Sequence, residues 1–194
     1  MSSQLGFSFD ISRCSGCMAC VVACQDENDL PGDGLSFRLV TRLENGQHPL
    51  EKGQHLLEKG QHPLEKGQHP SASLAFLSLT CLHCGDAPCM MVCPTGAIYK
   101  RDWDGIVGVN RDLCVGCHSC ALACPFGAPR YFDDGKMSKC HFCVSRVEHG
   151  LEPACVRVCP TRALGFGALD DLSRQKVEKA SLSILEPLLK ISDS

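Results

Sequence analysis

Cys114-Val-Gly-Cys117-His-Ser-Cys120-Ala-Leu-Ala-Cys124-Pro125 is the stretch on which the fold turns. Three of its thiols stand close enough to reach neighbouring corners of one centre, and a fourth corner must be reached from elsewhere. Cys14, Cys17, Cys20 and Cys24 repeat the same C-x2-C-x2-C-x3-C spacing. Two looser quartets are Cys81, Cys84, Cys89, Cys93 and Cys140, Cys143, Cys155, Cys159. All sixteen cysteines among the 194 residues fall in these groups. Runs of this spacing supply soft thiolates to cubane iron–sulfur clusters, and four quartets match four [4Fe–4S] clusters with no thiol left over.

Two other uses of cysteine fit less well. A secreted disulfide scaffold is disfavoured because Met1-Ser-Ser-Gln-Leu-Gly-Phe7 has neither the basic nor the apolar part of a signal peptide. Two-residue gaps also suit convergence on one centre better than pairing across a fold. Three quartets end in Cys-Pro (Cys93-Pro94, Cys124-Pro125, Cys159-Pro160), as ferredoxin runs do. All-cysteine zinc sites come as two separated C-x2-C pairs, which the first and third quartets are not. His83, His118, His141 and His149 lie in or near the quartets, but the cysteine count leaves no vacancy for Rieske-type ligation; His83, His118 and His141 are expected to hydrogen-bond or fill the loops.

The remaining composition agrees with a loop-rich, metal-stapled chain. One Trp, two Tyr, eleven Pro and eighteen Gly leave little for a large apolar core. The formal charge of −3 becomes about −11 once each cube and its four thiolates add −2. Cations near the quartets, among them Arg13, Lys100, Arg101, Arg111, Arg130, Lys136, Lys139, Arg157 and Arg162, are available to offset it. No apolar run reaches the ~18 residues of a membrane span.

Between the second and third quartets, Ala97-Ile-Tyr-Lys100 and Ile106-Val-Gly-Val109 flank Asp102-Trp-Asp-Gly105, which reads as a hairpin. It ties those quartets into one compact unit with the shape of a two-cluster ferredoxin. Phe7-Ser-Phe-Asp-Ile11 alternates like a strand, with Leu164-Gly-Phe166 as its partner. By elimination the first and fourth quartets then pair around the central unit. The eleven residues between Cys143 and Cys155 leave room for a short helix. Gly16 and Gly116 are expected where a β-carbon would be disfavoured.

The last cysteine of each run in a two-cluster ferredoxin ligates the other cluster. Applied here, the exchange groups Cys81, Cys84, Cys89 with Cys124, and Cys114, Cys117, Cys120 with Cys93. It groups Cys14, Cys17, Cys20 with Cys159, and Cys140, Cys143, Cys155 with Cys24.

A seven-residue repeat fills residues 44–70, with Gly-Gln-His at each turn and His48, His55, His62 and His69 in register. Its Gly and Pro content argues against a coiled coil; a surface loop is the favoured reading over a metal-binding tract. The tail reads as a helix from about Asp170 to Glu186, capped by Asp170 or Asp171 and bent or ended at Pro187. Its Leu182, Leu185 and Leu189 form a stripe expected to pack on its own domain.

With its quartets spaced x2-x2-x3, x2-x4-x3, x2-x2-x3 and x2-x11-x3, the chain resembles the four-cluster iron–sulfur subunits of molybdopterin oxidoreductases. These include the electron-transfer subunits of dimethyl sulfoxide, polysulfide, thiosulfate and tetrathionate reductases and related formate dehydrogenases. The resemblance covers residues 5–43 and 76–168 and implies a non-catalytic relay. Its partners would be a molybdenum- or tungsten-pterin catalytic subunit and a quinone-reactive membrane subunit or soluble carrier. Neither nucleic-acid binding nor direct membrane insertion is implied. The chain would be peripheral, held to the cytoplasmic membrane through those partners. Cys117 stands where some relatives carry Trp and a three-iron cluster, so four full cubes are expected.

The expected fold is α+β, with tandem two-cluster ferredoxin-like units, short β-hairpins and a C-terminal helix. Residues 1–43 with 130–168 would form an outer unit, 76–129 a central unit, 44–75 the repeat loop and 169–194 the tail. A free polyferredoxin shuttle and a redox-silent metal module are the rival functions. No Ser–His–Asp arrangement, P-loop or dinucleotide fingerprint points to intrinsic catalysis. Cys120→Ser is expected to change both the iron content and the EPR spectrum of the reduced protein; wild-type values for both would contradict the ligand assignment.

Overall fold

The computed structural model describes residues 4–31, 36–44 and 74–191, with eight short strands and six helices among them. The histidine-bearing repeats lie outside the described residues. Strands pair only two by two, always antiparallel: β1 (Leu5–Phe9) with β8 (Leu164–Ala168), β2 (Leu39–Glu44) with β3 (Leu74–Leu79), β4 (Ile98–Lys100) with β5 (Val107–Val109), and β6 (Arg130–Tyr131) with β7 (Met137–Ser138). The helices are α1 (Ala19–Glu27), α2 (Pro88–Met91), α3 (Ser119–Ala123), α4 (Val144–Glu148), α5 (Ala154–Arg157) and α6 (Leu169–Ile191).

The pairing of β1 with β8, with Phe7 opposite Phe166, brings the start of the chain against its far end. The central hairpin forms as its turn chemistry implies, with Tyr99 opposite Gly108. Helix α4 occupies the gap between Cys143 and Cys155. The pairs β2–β3 and β6–β7 were not anticipated, although Leu74-Ala-Phe-Leu-Ser-Leu79 is apolar and Asp133-Asp-Gly135 carries a turn signature.

The two regular cysteine runs are built by one device. Asp10 Oδ1 accepts from Ser12 N at 3.1 Å and opens a 3-10 turn, Ile11–Arg13. Asn110 Oδ1 does the same for Asp112 N at 3.0 Å, opening Arg111–Leu113. These side chains supply a turn's hydrogen bond locally and deliver Cys14 and Cys114 with matching backbone, φ −76° and ψ 122°. Left-handed residues then fold each loop back: Gly16 and Met18 at φ 69° and 63°, Gly116 and His118 at 66° and 63°. Helices α1 and α3 start immediately afterwards.

Three small apolar clusters make the interior, and cysteines belong to each of them. Phe142 is completely buried and packs against Phe7 and Phe166 at ring-centre distances of 4.6 and 5.2 Å. Its other neighbour is the His83 ring, stacked at 3.8 Å. Lys100 Nζ donates to the carbonyls of Cys84 and Gly85 at 2.9 and 2.8 Å, holding the second cysteine loop to the hairpin.

Helix α6 departs from expectation in three ways. It begins at Leu169, directly off β8, so Asp170 and Asp171 sit in its first turn, where their charge complements the dipole. It continues through Pro187 to Ile191, so of the bend or end expected there, the end does not occur. A proline removes one rung of the ladder, and Leu188-Leu-Lys190 beyond it are strong helix formers that let the helix resume. Finally, Leu182 and Leu185 are exposed, so that part of the stripe is not packed on the domain. The start of the helix is anchored where Leu169 and Leu172 lie over Gly6 and Gly167, and further along Lys179 pairs with Asp10.

Gly116 combines positive φ with close approach, since a β-carbon there would stand 2.7 Å from the Gly135 carbonyl oxygen. Gly116→Ala is expected to destabilise the loop by about 1–3 kcal/mol. A lowered temperature for loss of visible cluster absorbance is the readout; an unchanged transition would mean the left-handed turn is not required.

Candidate metal centres

Four cavities open among the loops, and each is lined by four cysteines. Cys14, Cys17, Cys20 and Cys159 line one of about 330 Å³, solvent-filled mouth included. Cys24, Cys140, Cys143 and Cys155 line a second of about 290 Å³. Cys81, Cys84, Cys89 and Cys124 line a third of about 390 Å³. Cys93, Cys114, Cys117 and Cys120 line the fourth, of about 340 Å³. Every cavity thus takes three thiols from one stretch and one from another.

The donor chemistry suits cubes better than the alternatives. All sixteen cysteines are free thiols. Among the described residues, no group of three His, Cys, Asp or Glu is gathered tightly enough for a single metal ion. Soft sulfur donors spaced around a void fit a cluster with several iron corners. Backbone N–H groups also point at sulfur: Ala128 N lies 3.4 Å from Cys124 Sγ, and Met137 N lies 3.4 Å from Cys114 Sγ. Such bonds favour an electron-rich sulfur.

The cavities follow one another in a row. Cys20 and Cys24, one turn apart on α1, join the first to the second. Cys24, Cys140 and Cys81 share one apolar cluster, which joins the second to the third. Cys89 and Cys120 share another, which joins the third to the fourth. Cys17 and Cys117, at the two ends, are exposed.

Electrostatics separate the middle of the row from its ends. Burial pushes the Cys24 thiol up to about 12, with neighbouring thiols adding and Arg38 opposing. Burial likewise raises Cys143 to about 11, and Cys81 to about 11 against the pull of Lys139. At the ends the direction reverses. Cys117 is held low by the N–H and hydroxyl of Ser119. At Cys93 and Cys159 burial works upward, yet hydrogen bonds dominate: from the Ile98 amide, the Thr95 hydroxyl and the Thr95 and Ala97 amides at Cys93, and from the Leu164 amide, the Thr161 hydroxyl and the Ala163 and Thr161 amides at Cys159. Thiolates are the binding form, so the middle pair depends more on nearby positive charge.

The histidines hydrogen-bond or fill the loops. His83 Nδ1 accepts from Val107 N at 3.0 Å, and His141 Nδ1 accepts from Val144 N at 3.1 Å. His118 stacks on Tyr131 at 3.7 Å. Four contributors escaped or were undifferentiated in the sequence. Arg38, Ser78 and Tyr131 are remote in sequence from the nearest cysteine of the cavity they line, so spacing carries no signal for them. Lys139 stood among many cations, but it alone of those is buried, with Nζ donating to the carbonyls of Val107 and of Cys140. Tyr131 Oη lies 3.2 Å from Cys120 Sγ, and burial together with that sulfur keeps the phenol protonated. Tyr131→Phe is expected to lower the midpoint potential of the Cys93/Cys114/Cys117/Cys120 centre by the worth of one such bond, about 1 kcal/mol between redox states. An EPR-monitored redox titration reads this; four unchanged midpoints would refute it.

A 4Fe–4S dicluster domain matches residues 72–169, and a second 4Fe–4S dicluster domain matches residues 13–97. The chain is 42% identical to the probable anaerobic dimethyl sulfoxide reductase chain YnfG of Escherichia coli, across 97% of this chain and 83% of the relative. Identity to the thiosulfate reductase electron transfer subunit PhsB of Salmonella typhi is 40%, over 91% and 82% of the two chains. With a polysulfide reductase chain of Wolinella succinogenes it is 39%, over 100% and 90%. Two dicluster domains, each with two clusters, account for all sixteen thiols. The protein belongs to the 4Fe–4S dicluster family of reductase iron–sulfur subunits and is a carrier of four [4Fe–4S] clusters.

Proposed function

We propose that the four quartets lining the four cavities are the cluster ligands, and that the chain relays electrons along the row they form. The observation that carries this reading is the continuity of the row, with neighbouring sites sharing a helix or an apolar cluster. Bound clusters supply one-electron uptake and release. The chain's own residues hold the sulfurs, exclude water from Cys24, Cys81 and Cys155, and place amide dipoles against Cys93, Cys114, Cys124 and Cys159. Electrons would enter and leave at the ends, where Cys17 and Cys117 reach solvent.

On this assignment the outer unit comprises 1–43 with 130–168 and the central unit 76–129, nested one within the other. The β1–β8 and β4–β5 pairs are consistent with that division. Residues 44–75 would be an insertion and 169–194 an added tail.

The partners we propose are a catalytic subunit carrying a molybdenum- or tungsten-pterin cofactor and a quinone-reactive membrane subunit. Support comes from the relatives, named as chains of dimethyl sulfoxide, thiosulfate and polysulfide reductases. No helix among the described residues is long and apolar enough to cross a membrane. The chain would be held at the cytoplasmic membrane by its partners and perform no substrate chemistry of its own.

Affinity purification of the tagged chain from anaerobically grown cells, in mild detergent, tests the partnership. A larger chain containing molybdenum or tungsten should elute with it in constant ratio. A monomer free of such a partner, competent to pass electrons between soluble donors and acceptors, would favour the shuttle instead.

A further inference from the structure

Arg38 lies between the two cavities of the outer unit and is only 1% exposed. Its guanidinium stays charged, and a buried charge needs a partner. None of the ion pairs among the described residues uses it. Nη1 donates to Ser78 Oγ at 3.0 Å, and Cζ stands 4.7 Å over the Phe7 ring. Nε and Nη2 are buried with no hydrogen-bond partner among the described residues. Lys139, the other buried cation among the described residues, differs, because its ammonium is spent on two backbone carbonyls.

Arg38 lines the Cys24/Cys140/Cys143/Cys155 cavity. On the other side, Ser78 lines the Cys14/Cys17/Cys20/Cys159 cavity, with Oγ 3.5 Å from Cys20 Sγ. Because Ser78 Oγ accepts from Arg38, its own proton is free to point at that sulfur.

We infer that Arg38 is a potential-setting residue shared by two redox centres: its guanidinium lines the Cys24/Cys140/Cys143/Cys155 centre with two N–H groups that have no partner among the described residues, and its bond to Ser78 orients a hydroxyl donor onto the Cys14/Cys17/Cys20/Cys159 centre. A fixed positive charge at short range in a low-dielectric interior stabilises the form that has gained an electron. The first centre feels the charge directly and the second feels it mainly through one hydroxyl, so the two are raised by different amounts. Arg38 acts through sulfur and does not exchange electrons itself. The inference rests on the ligand assignment proposed above.

EPR-monitored redox titration of the purified holoprotein tests it, with signals assigned by comparison with Cys155→Ser and Cys14→Ser. Arg38→Gln should reduce the electron affinity of the Cys24/Cys140/Cys143/Cys155 centre at least tenfold, a downward shift of about 59 mV for a one-electron couple. Arg38→Lys, which keeps the charge, should hold that midpoint within threefold, about 28 mV. Ser78→Ala should lower the midpoint of the other outer centre and leave the first in place. If Arg38→Gln fails to assemble, Arg38→Lys and Ser78→Ala decide the matter by the same criteria. Unchanged midpoints in Arg38→Gln, equal shifts in the Lys and Gln variants, or no response to Ser78→Ala would overturn the inference. Iron and sulfide content is read separately: a wild-type protein short of four clusters would defeat the ligand assignment, whatever the midpoints show.

Discussion

Convergence of four thiols on one void is the constraint from which the rest of the structure follows. Each void draws three sulfurs from one loop and one from a distant stretch, so no site can form until two parts of the chain have met. Cys159 must come back to the loop at Cys14, and the β1–β8 pair is the strap that brings it there. Cys24 must reach Cys140, and α1 carries it. The apolar clusters are small and include the cysteines themselves, which leaves metal binding and folding as one event.

A second demand is electrostatic. Cubes with four thiolates are anions, and burial of anions is unfavourable unless dipoles or cations face them. The two ends of the row meet this with backbone amides and hydroxyls, as at Cys93, Cys117 and Cys159. In the middle, where burial dominates, the structure adds buried cations: Arg38 on one side and Lys139 on the other. Residues far apart in sequence thereby serve one purpose.

Much of this was legible in the sequence because cysteine spacing encodes it directly. The Asp-Gly turn before Ile106, the alternation at Phe7, and Gly16 and Gly116 between cysteines are local signals, and local signals survive in sequence. What escaped was non-local or short. The two-residue strands β6 and β7 fall below any periodicity, and β2 and β3 are separated by the repeats. Arg38 and Tyr131 reach sulfur only through tertiary packing. Pro187 does not end the helix, because helix formers follow it at Leu188, Leu189 and Lys190. The exposed Leu182 and Leu185 show that a helical stripe states a face without stating what covers it.

The most direct test of the whole account is the ratio of iron, acid-labile sulfide and zinc in protein purified without oxygen. Four cubes held by sixteen thiols predict about sixteen iron and sixteen sulfide per chain, with zinc negligible. Protein without sulfide, or loaded mainly with zinc, would contradict it.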